Sequence, residues 1–283
     1  MLTASFEYKG TKFEGISEGG IRTSIICPSL DFMFDFGFIN PDKIHIGKIL
    51  LTHAHLDHSC GIPYYVSQRS LRKLPIPKIY VPKALEPKLS QILKLYSEIE
   101  EFDYECELIG LEYGDRVELK PGYYFKPLQS FHRVPSQGYT VYETKRKLKK
   151  EFTNLHSDEI RKSKEKGVDP TEEVATPLVS FSGDSKIEYV LENEDVRKSK
   201  VLFMECTYYC DKRDVSRARE WGHTHFDEIV EHASSFENEA IVLIHPSKRY
   251  SYRELNDLLR KKVPSILKDR ISLFLPPKHE TKT

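Results

Sequence analysis

The sequence has no net charge, few cysteines and no long apolar run. Its 283 residues carry 43 Lys and Arg against 43 Asp and Glu, so no whole-molecule field attracts nucleic acid or an anionic membrane. No stretch approaches the roughly 18 apolar residues of a membrane span, and the first residues lack a signal-peptide pattern. Hydrophobic residues still make up 39% of the chain, which is enough for a core and excludes disorder throughout.

The cysteines are five in number, and none of them forms a CxxC pair. They are Cys27, Cys60, Cys106, Cys206 and Cys210. An odd and scattered set argues against a disulfide framework and for a reducing compartment. We therefore expect a soluble, globular, cytoplasmic protein without a membrane partner.

Short β-branched and aromatic runs alternate with longer amphipathic stretches. The predicted strands cover residues 24–27, 32–36, 49–52, 78–81, 105–111, 116–119, 123–130, 138–143, 179–181, 201–205 and 240–244. The predicted helices cover residues 85–99, 226–236 and 253–262, where apolar residues recur at helical spacing. Blocks of strands with interspersed helices predict an α/β protein whose sheets pack face to face with helices outside.

One segment departs from this pattern by its charge. Residues 145–166 contain nine basic and four acidic residues, a local charge of +5, and Lys145, Arg146 and Lys147 begin the densest run. Two interpretations remain open. The segment is either a solvated, partly disordered insertion, or a mobile arm that binds phosphates and gains affinity by releasing counterions.

The strongest chemical signal is the sequence His53-Ala54-His55-Leu56-Asp57-His58. His53 and His55 are two residues apart at a strand end, so their imidazoles point the same way. Asp57 and His58 lie beyond a turn and can face a second metal ion. Imidazoles with a carboxylate suit zinc or another borderline divalent ion. The alternative is a polar strand end in which the histidines fall by chance.

Three further residues of ligand type follow predicted apolar strands. They are His132, Asp184 and His245. Taken alone, Asp184 can be explained as a capping aspartate, and His132 and His245 as histidines at a strand edge. Together with the first cluster, they predict a dinuclear metal site built from several strand ends.

The HAHLDH segment resembles the HxHxDH signature of the metallo-β-lactamase superfamily. This resemblance implies an αββα sandwich of two facing mixed sheets with outer helices, formed as one domain over residues 1–283 with a basic, arm-like insertion at about 145–177. It also implies two zinc ions per subunit, with manganese possible. His53, His55 and His132 would hold one ion, Asp57, His58 and His245 the other, and Asp184 would bridge them.

Five other segments resemble elements of ribonuclease Z, the endonuclease that matures tRNA 3′ ends. They are residues 131–139, 181–185, 201–208, 221–224 and 243–250. The similarity covers most of residues 20–260 and is nearest to the short, plant-type enzymes. It implies that a metal-activated hydroxide attacks a phosphodiester and removes the 3′ trailer of precursor tRNA. It further implies a homodimer in which the arm of one subunit clamps RNA bound at the other.

The predicted reaction gives roles to individual side chains. Asp57 would orient the hydroxide, and His223 would be the general acid, held by Glu205, with His225 as a competing assignment. The predicted substrate-binding residues are Arg249, Lys248, Ser136, Tyr139, Lys145, Arg146 and Lys147. Two interpretations remain open for Arg249 and Lys248: they bind a phosphate, or they are ordinary surface charges. Two also remain open for Tyr139: it lines the cleft, or it packs in the core. Trp221 is expected to pack against a helix, with base stacking as the alternative.

Two other functions fit parts of this pattern. One is a hydrolase of the same fold that acts on a small phosphodiester, a sulfate ester, a lactone or a thioester. The other is a non-catalytic RNA-binding protein, which the complete set of ligand types disfavours. The basic segment favours the endoribonuclease over the small-molecule hydrolase.

Overall fold

Two seven-stranded β-sheets face each other in the computed structural model, which describes residues 3–210 and 212–276. The first sheet contains, in spatial and chain order, β1 (Ala4–Tyr8), β2 (Thr11–Glu18), β3 (Arg22–Cys27), β4 (Phe32–Phe34), β5 (Lys48–Leu50), β6 (Lys78–Pro82) and β7 (Glu107–Leu111). Strands β1 to β4 pair antiparallel, and β4 to β7 pair parallel.

The second sheet repeats this scheme. Its strands are β8 (Val117–Lys120), β9 (Tyr123–Gln129), β10 (Gln137–Leu148), β11 (Thr171–Phe181), β12 (Val201–Glu205), β13 (Ala240–Ile244) and β14 (Ile271–Leu273). Strands β8 to β11 pair antiparallel, and β11 to β14 pair parallel. The mixed sheets are therefore antiparallel at one side and parallel at the other.

α-Helices connect the strands of both sheets. They are α1 (Leu56–Ser59), α2 (Ile62–Leu71), α3 (Glu86–Glu100), α4 (Ser157–Glu165), α5 (Glu188–Glu192), α6 (Glu194–Lys198), α7 (Val215–Glu220), α8 (Phe226–Glu231) and α9 (Tyr252–Lys262). The apolar sides of α2 and α3 pack on the first sheet, and those of α5, α6, α8 and α9 pack on the second. These four layers confirm the predicted αββα sandwich. None of the helices in the described residues is long and apolar enough to cross a membrane.

The space between the sheets is filled by aromatic and β-branched side chains. Phe34 of β4 and Phe181 of β11 stack with ring centroids 4.4 Å apart, and both rings are fully buried. Such a pair contributes about 0.5–1.5 kcal/mol beyond the area that it buries. The stack joins the sheets directly below the edge at which β4 and β11 end.

Six strands end at this shared edge. Strands β4, β5, β9, β11, β12 and β13 run in the same direction within their sheets. The residues that follow them are, in chain order, Asp35, His53, His132, Asp184, Glu205 at the last position of β12, and His245. In open α/β sheets ligands bind beyond the carboxyl ends of the strands, so the topology brings these side chains to one place.

The basic segment 145–166 has a defined backbone. Strands β10 and β11 continue as a two-stranded ribbon in which Lys145 pairs with Val174 and Leu148 with Thr171. Helix α4 lies between the two ends of this ribbon. Since β10 starts beside the shared strand edge and runs away from it, the ribbon extends from the opposite end of the sheets.

Candidate metal centre and active site

Four side chains converge at the ends of β5, β9 and β11. His55 Nδ1 lies 3.1 Å from His53 Nε2 and 3.3 Å from His132 Nε2. Asp184 Oδ2 lies 3.6 Å from His53 Nε2. One nitrogen or oxygen from each of these residues falls within 4.8 Å of those of the other three, which is a spacing that one cation can bridge.

Hydrogen bonds on the far side of two rings fix which nitrogen faces this group. Thr52 Oγ1 donates to Asp35 and so accepts from His53 Nδ1 at 3.0 Å. His132 Nδ1 donates to the carbonyl of Gly222 at 2.8 Å. Because Nδ1 carries the proton in both rings, each Nε2 presents a lone pair, which is the form that binds a metal ion.

A second group lies on the other side of Asp184. Asp57 Oδ2 is 3.3 Å from His245 Nε2 and 3.6 Å from His58 Nε2. His58 Nδ1 donates to Asp35 at 2.6 Å, and His245 Nδ1 lies 2.9 Å from Thr207 Oγ1. Thr207 Oγ1 itself donates to Glu205, so it accepts from His245, and both Nε2 atoms again face inward.

The carboxylate of Asp184 links the two groups. Its Oδ1 lies 3.2 Å from His58 Nε2 and 3.3 Å from His245 Nε2, but this buried atom has no hydrogen-bond partner. Three acceptor atoms thus face each other, and such an arrangement is stable only with a positive charge between them. The residues therefore fit divalent cations, which suit this set of imidazole and carboxylate donors.

The electrostatics favour the ligand forms of most side chains. Burial lowers the pKa values of His53, His55 and His132, which keeps these imidazoles neutral. Burial opposes ionisation of Asp184, but the imidazoles of His245 and His58 hold its pKa well below the usual value. His58 is the exception. Burial opposes charge on this imidazole, but Asp184 and Asp35 raise its pKa well above the usual value, which favours the protonated ring.

A histidine–carboxylate pair lies next to this cluster. His223 Nδ1 is 2.8 Å from Glu205 Oε1, which also accepts from the backbone N–H of Thr224 at 3.0 Å. Burial disfavours the charged imidazole, but Glu205 outweighs it and raises the pKa of His223 to about 9. His223 also lies within ligand distance of Asp184 and His245, so its ring borders the site while Glu205 holds its Nδ1.

Unusual backbone conformations place several of these residues. His245 has a φ of 62° and Asp35 a φ of 57°, a left-handed conformation that costs about 1–3 kcal/mol outside glycine and clusters at functional sites. Gly183 has a φ of 58°, and a Cβ there would lie 2.6 Å from Thr52 Cβ. Only glycine therefore allows the turn that presents Asp184 beside the β5 end.

Comparison with known proteins decides the family. The chain is 38% identical over 264 residues to tRNase Z TRZ1 of Arabidopsis thaliana, which covers 93% of this chain and 94% of that protein. The chain belongs to the ribonuclease Z family. The chloroplastic tRNase Z TRZ2 of the same plant is 35% identical over 257 residues, covering 90% of this chain and 73% of its own. The predicted resemblance to ribonuclease Z is confirmed, although no family model matches the chain.

Solved structures confirm the fold. The short form of human tRNase Z (ELAC1) superposes with a TM-score of 0.56 at 18% identity, covering 82% of this chain and 91% of that one. The metallo-β-lactamase fold protein YhfI of Bacillus subtilis gives a TM-score of 0.61 at 14% identity, covering 91% and 93%.

The structure of this ribonuclease Z family member brings nine of the predicted site residues together. They are the seven residues His53, His55, Asp57, His58, His132, Asp184 and His245, hereafter the ligand cluster, and the pair Glu205 and His223. His225 does not join them. Its Nδ1 accepts from the backbone N–H of Asp227 and caps α8.

The predicted substrate-binding residues are spread more widely. Tyr139 is fully buried, and its hydroxyl donates to the carbonyl of Leu51 at 2.7 Å. Its side chain therefore belongs to the core, and the expectation that it contacts substrate is wrong. Ser136 is buried in the loop between β9 and β10, where its hydroxyl forms a hydrogen bond with that of Ser130. Lys248 and Arg249 follow His245 and lie at the rim of the site.

The three basic residues of the ribbon lie far from the ligand cluster. The backbone N–H of Gln137, at the start of β10, donates to the carbonyl of Thr52 beside the cluster. At roughly 3.3 Å per strand residue, Lys145 to Lys147 lie roughly 25–35 Å further along β10. They do not border the site of their own subunit.

Sequence reasoning did not identify Asp35 and Thr207. Asp35 accepts hydrogen bonds from Thr52 N, Thr52 Oγ1 and His58 Nδ1, and Thr207 holds both His245 and Glu205. Asp35 directly follows the apolar strand β4, and a position after an apolar strand is the signal that identified Asp184. Thr207 carries no comparable signal, because its role depends on contacts across two strand ends.

Proposed function

We propose that this protein is a metal-dependent endoribonuclease that removes the 3′ trailer of precursor tRNA. The observation that carries the proposal is the His223–Glu205 pair beside the ligand cluster. Cleavage of a phosphodiester requires charge neutralisation, an attacking hydroxide and a proton for the leaving oxygen. Metal ions held by the ligand cluster would supply the first two, and His223 would supply the third. The relatives named tRNase Z, which align with most of the chain, support precursor tRNA as the substrate.

The ligand cluster is proposed to hold two Zn²⁺ ions, with Mn²⁺ as a possible substitute. His53, His55 and His132 would bind one ion, Asp57, His58 and His245 the other, and the two oxygens of Asp184 face both groups. When bound, a pair of divalent ions lowers the pKa of water, neutralises the phosphate and orients in-line attack. Five imidazoles and two carboxylates suit zinc by ligand type.

His223 is proposed to donate the proton to the leaving 3′ oxygen. The Glu205 carboxylate raises its pKa to about 9, which favours the protonated ring that a proton donor requires. Because Nδ1 is held by Glu205 at 2.8 Å, the proton that leaves is the one on Nε2. Transfer to the alkoxide is downhill, and the products are a tRNA with a 3′ hydroxyl and a trailer with a 5′ phosphate.

Asp57 is proposed to orient the attacking water and to accept its proton. Its Oδ2 accepts from the backbone N–H of Gly20 at 3.0 Å and lies 3.3 Å from His245 Nε2. Burial opposes ionisation of Asp57, but the adjacent imidazoles of His245 and His58 hold its pKa below the usual value. The carboxylate is therefore ionised and fixed at the mouth of the cluster.

Lys248 and Arg249 are proposed to bind phosphates of the RNA. Lys248 Nζ donates to Glu18 Oε1 at 2.6 Å, and Glu18 also binds Arg22 at 2.8 Å. Glu18 thus positions the side chain of Lys248 beside the residues that follow β2, and the backbone N–H of one of these, Gly20, donates to Asp57. Arg249 Nη1 donates to Ser247 Oγ at 3.2 Å, so its remaining N–H groups are available for a bidentate bond to phosphate.

A homodimer is proposed, with the outer face of α3 as the contact. The exposed apolar residues of this helix recur at i, i+3, i+4 and i+7, the spacing of a single stripe. They are Ile92, Leu95, Tyr96 and Ile99, between 44% and 75% exposed. Ile76 and Phe102 line a groove at the end of this stripe and extend the apolar surface.

Charges on α3 suit a second copy of the same surface. The exposed Lys88 and Lys94 precede the centre of the stripe, and the exposed Glu98 and Glu100 follow it. A two-fold axis through the helix centre would place the lysines of one copy beside the glutamates of the other. This self-complementarity favours a second copy over an unrelated partner.

The ribbon is proposed to bind RNA held at the other subunit. Lys145 pairs with Glu143, and Arg146 pairs with Asp169, while Lys147 makes no ion pair among residues 3–210 and 212–276. These three residues lie roughly 25–35 Å from the ligand cluster of their own subunit. This distance is consistent with contact to RNA that is bound at the other subunit. The segment 145–177 is thus proposed as an RNA-binding arm on a single metallo-β-lactamase-fold domain.

A reducing compartment, the cytoplasm, is proposed as the location. All five cysteines are free thiols in the structure, and two of them, Cys27 and Cys206, are buried in the core. Disulfides are rare where glutathione keeps thiols reduced.

The proposed function is tested with purified protein, with Zn²⁺ or Mn²⁺ supplied and after removal by a chelator. The substrates are a trailer-bearing precursor tRNA, a cyclic nucleotide, a sulfate ester, a lactone and a thioester. We expect cleavage at the 3′ end of the tRNA body that is lost with the metal and restored by its return. Turnover of another substrate without cleavage of the precursor would refute the proposal.

A further inference from the structure

A tryptophan and two arginines form an exposed stack at the rim of the ligand cluster. The guanidinium carbon of Arg133 lies 4.6 Å from the ring centroid of Trp221, and that of Arg217 lies 5.5 Å from it. Trp221 is 44% exposed, and the three buried clusters of the described residues do not include it. Trp221 contacts Arg217 of α7, as expected of a residue beside a helix, and part of its ring remains exposed.

The residues of this stack are close in sequence to the reacting groups. Arg133 directly follows His132, and Trp221 precedes His223 by two residues. Gly222 joins the two sides, because its carbonyl accepts from His132 Nδ1 and a Cβ on it would lie 3.1 Å from Arg133 N. The stack therefore lies on the side of the site that holds the proton donor.

The charges of the stack are open to an anion. Arg133 is exposed and makes no ion pair with a carboxylate of the described residues. Arg217 is held in place by Glu220 on the same helix. An indole ring with adjacent guanidinium planes is a surface on which nucleobases stack, and a free guanidinium binds phosphate.

We propose that Trp221, Arg133 and Arg217 form a subsite for the nucleotide on the 5′ side of the scissile phosphate, with its base stacked on the platform. This inference rests on the proposed function. The leaving oxygen is the 3′ oxygen of that nucleotide and receives its proton from His223. The nucleotide must therefore lie on the His223 side, where the platform is, and the trailer must leave in another direction.

The composition of the chain provides a direct test. Trp221 is the only tryptophan in the sequence, so the intrinsic tryptophan fluorescence of the metal-loaded protein reports this side chain alone. A mature tRNA that ends at the cleavage position should quench this fluorescence as it binds. A trailer oligonucleotide with a 5′ phosphate should not.

Affinity measurements then separate stacking from general RNA binding. Trp221→Leu should weaken binding of the mature tRNA about 5- to 100-fold, the range for one base–aromatic stack, whereas Trp221→Phe should keep most of the affinity. A tRNA whose last nucleotide is abasic should bind the wild type more weakly by the same factor. It should bind Trp221→Leu with the same affinity as the intact tRNA does. Both variants should keep the zinc content of the wild type in elemental analysis, which shows that the ligand cluster is intact.

The outcomes distinguish this subsite from the proposed function. Additive losses from Trp221→Leu and the abasic nucleotide, or saturable tRNA binding without quenching, would overturn the subsite even if the wild type cleaves precursor tRNA. Quenching that is stronger with the trailer would also overturn it. If the affinity losses from the abasic nucleotide and from Trp221→Leu are not additive but precursor tRNA is never cleaved, the subsite is supported and the proposed nuclease activity is refuted.

Discussion

Asp35 is expected to control metal affinity although it is not itself in the ligand cluster. Its carboxylate is fully buried and accepts three hydrogen bonds, from Thr52 N at 2.7 Å, from Thr52 Oγ1 at 3.0 Å and from His58 Nδ1 at 2.6 Å. Through these bonds it fixes the tautomers of His58 and, by way of Thr52, of His53. One carboxylate thus orients one ligand of each proposed metal ion.

Asp35→Asn removes this control with almost no change in volume. The new amide has one acceptor oxygen and one NH₂ donor, so it cannot accept from both the Thr52 backbone and His58 Nδ1. If the NH₂ faces His58, the imidazole proton moves to Nε2, which then cannot bind metal. Losing one hydrogen bond to a charged acceptor costs about 1.5–3 kcal/mol of stability, and changes of this kind lower metal affinity about 10- to 100-fold.

The assay is competition for Zn²⁺ between the protein and a chromophoric chelator, followed by elemental analysis. Asp31→Asn is the matched control, because Asp31 also has a positive φ and accepts from a backbone N–H, that of Gly47, but lies in a surface turn. We expect Asp31→Asn to keep wild-type zinc affinity. Equal affinities for Asp35→Asn and Asp31→Asn would show that the hydrogen bonds of Asp35 do not set the ligand geometry.

Three other predictions follow from the proposed roles. His223→Ala should lower turnover of precursor tRNA about 100- to 10,000-fold, the usual contribution of a general acid, with unchanged metal content by elemental analysis; parallel loss of metal would contradict the acid role. Ile99→Glu should convert a dimer to a monomer in sedimentation equilibrium, because this residue is the most exposed of the apolar stripe on α3, at 75%, while Ile266→Glu, on the other side of the molecule, should not; a dimeric Ile99→Glu would exclude the α3 face. Replacing residues 149–170 by Asn-Gly, a two-residue turn that joins the paired ends of β10 and β11, should weaken tRNA binding and flatten its salt dependence but leave hydrolysis of a small phosphodiester unchanged, and an unchanged salt slope would exclude residues 149–170 from RNA binding.

The central strands were predictable because burial on both faces gives them continuous apolar sequences. The predicted strands 201–205 and 240–244 agree with β12 and β13 at both ends. The edge strand β1 and its neighbour β2 were not predicted. Charged residues interrupt both sequences, and two of the five positions in β1 face solvent, so their local sequence resembles that of a polar loop. Pairing with a neighbouring strand, which sequence patterns do not reveal, makes them strands.

The ribbon shows how a local charge count can mislead. Residues 145–166 have a charge of +5, which predicts repulsion and disorder when the segment is taken alone. In the structure Arg146 lies opposite Glu173 and Lys147 opposite Glu172. Arg146 forms its ion pair with Asp169, and Glu173 forms one with Arg116. Asp169, Glu172 and Glu173 place negative charge beside the basic strand, and all three lie beyond the window in which the charge was counted.

The site itself was predictable in its residue types but not in its hydrogen-bond network. His53, His55, Asp57 and His58 could be found because they are close in sequence, and the first sheet supplies all four. His132, Asp184, His223 and His245 come from the second sheet and its loops, so they meet the first group only when the two sheets face each other. The unpartnered Oδ1 of Asp184 lies where the two groups meet. A cation at this position would satisfy the acceptors from both sheets at once, and would therefore hold the sheets together at the same edge where the proposed reaction takes place.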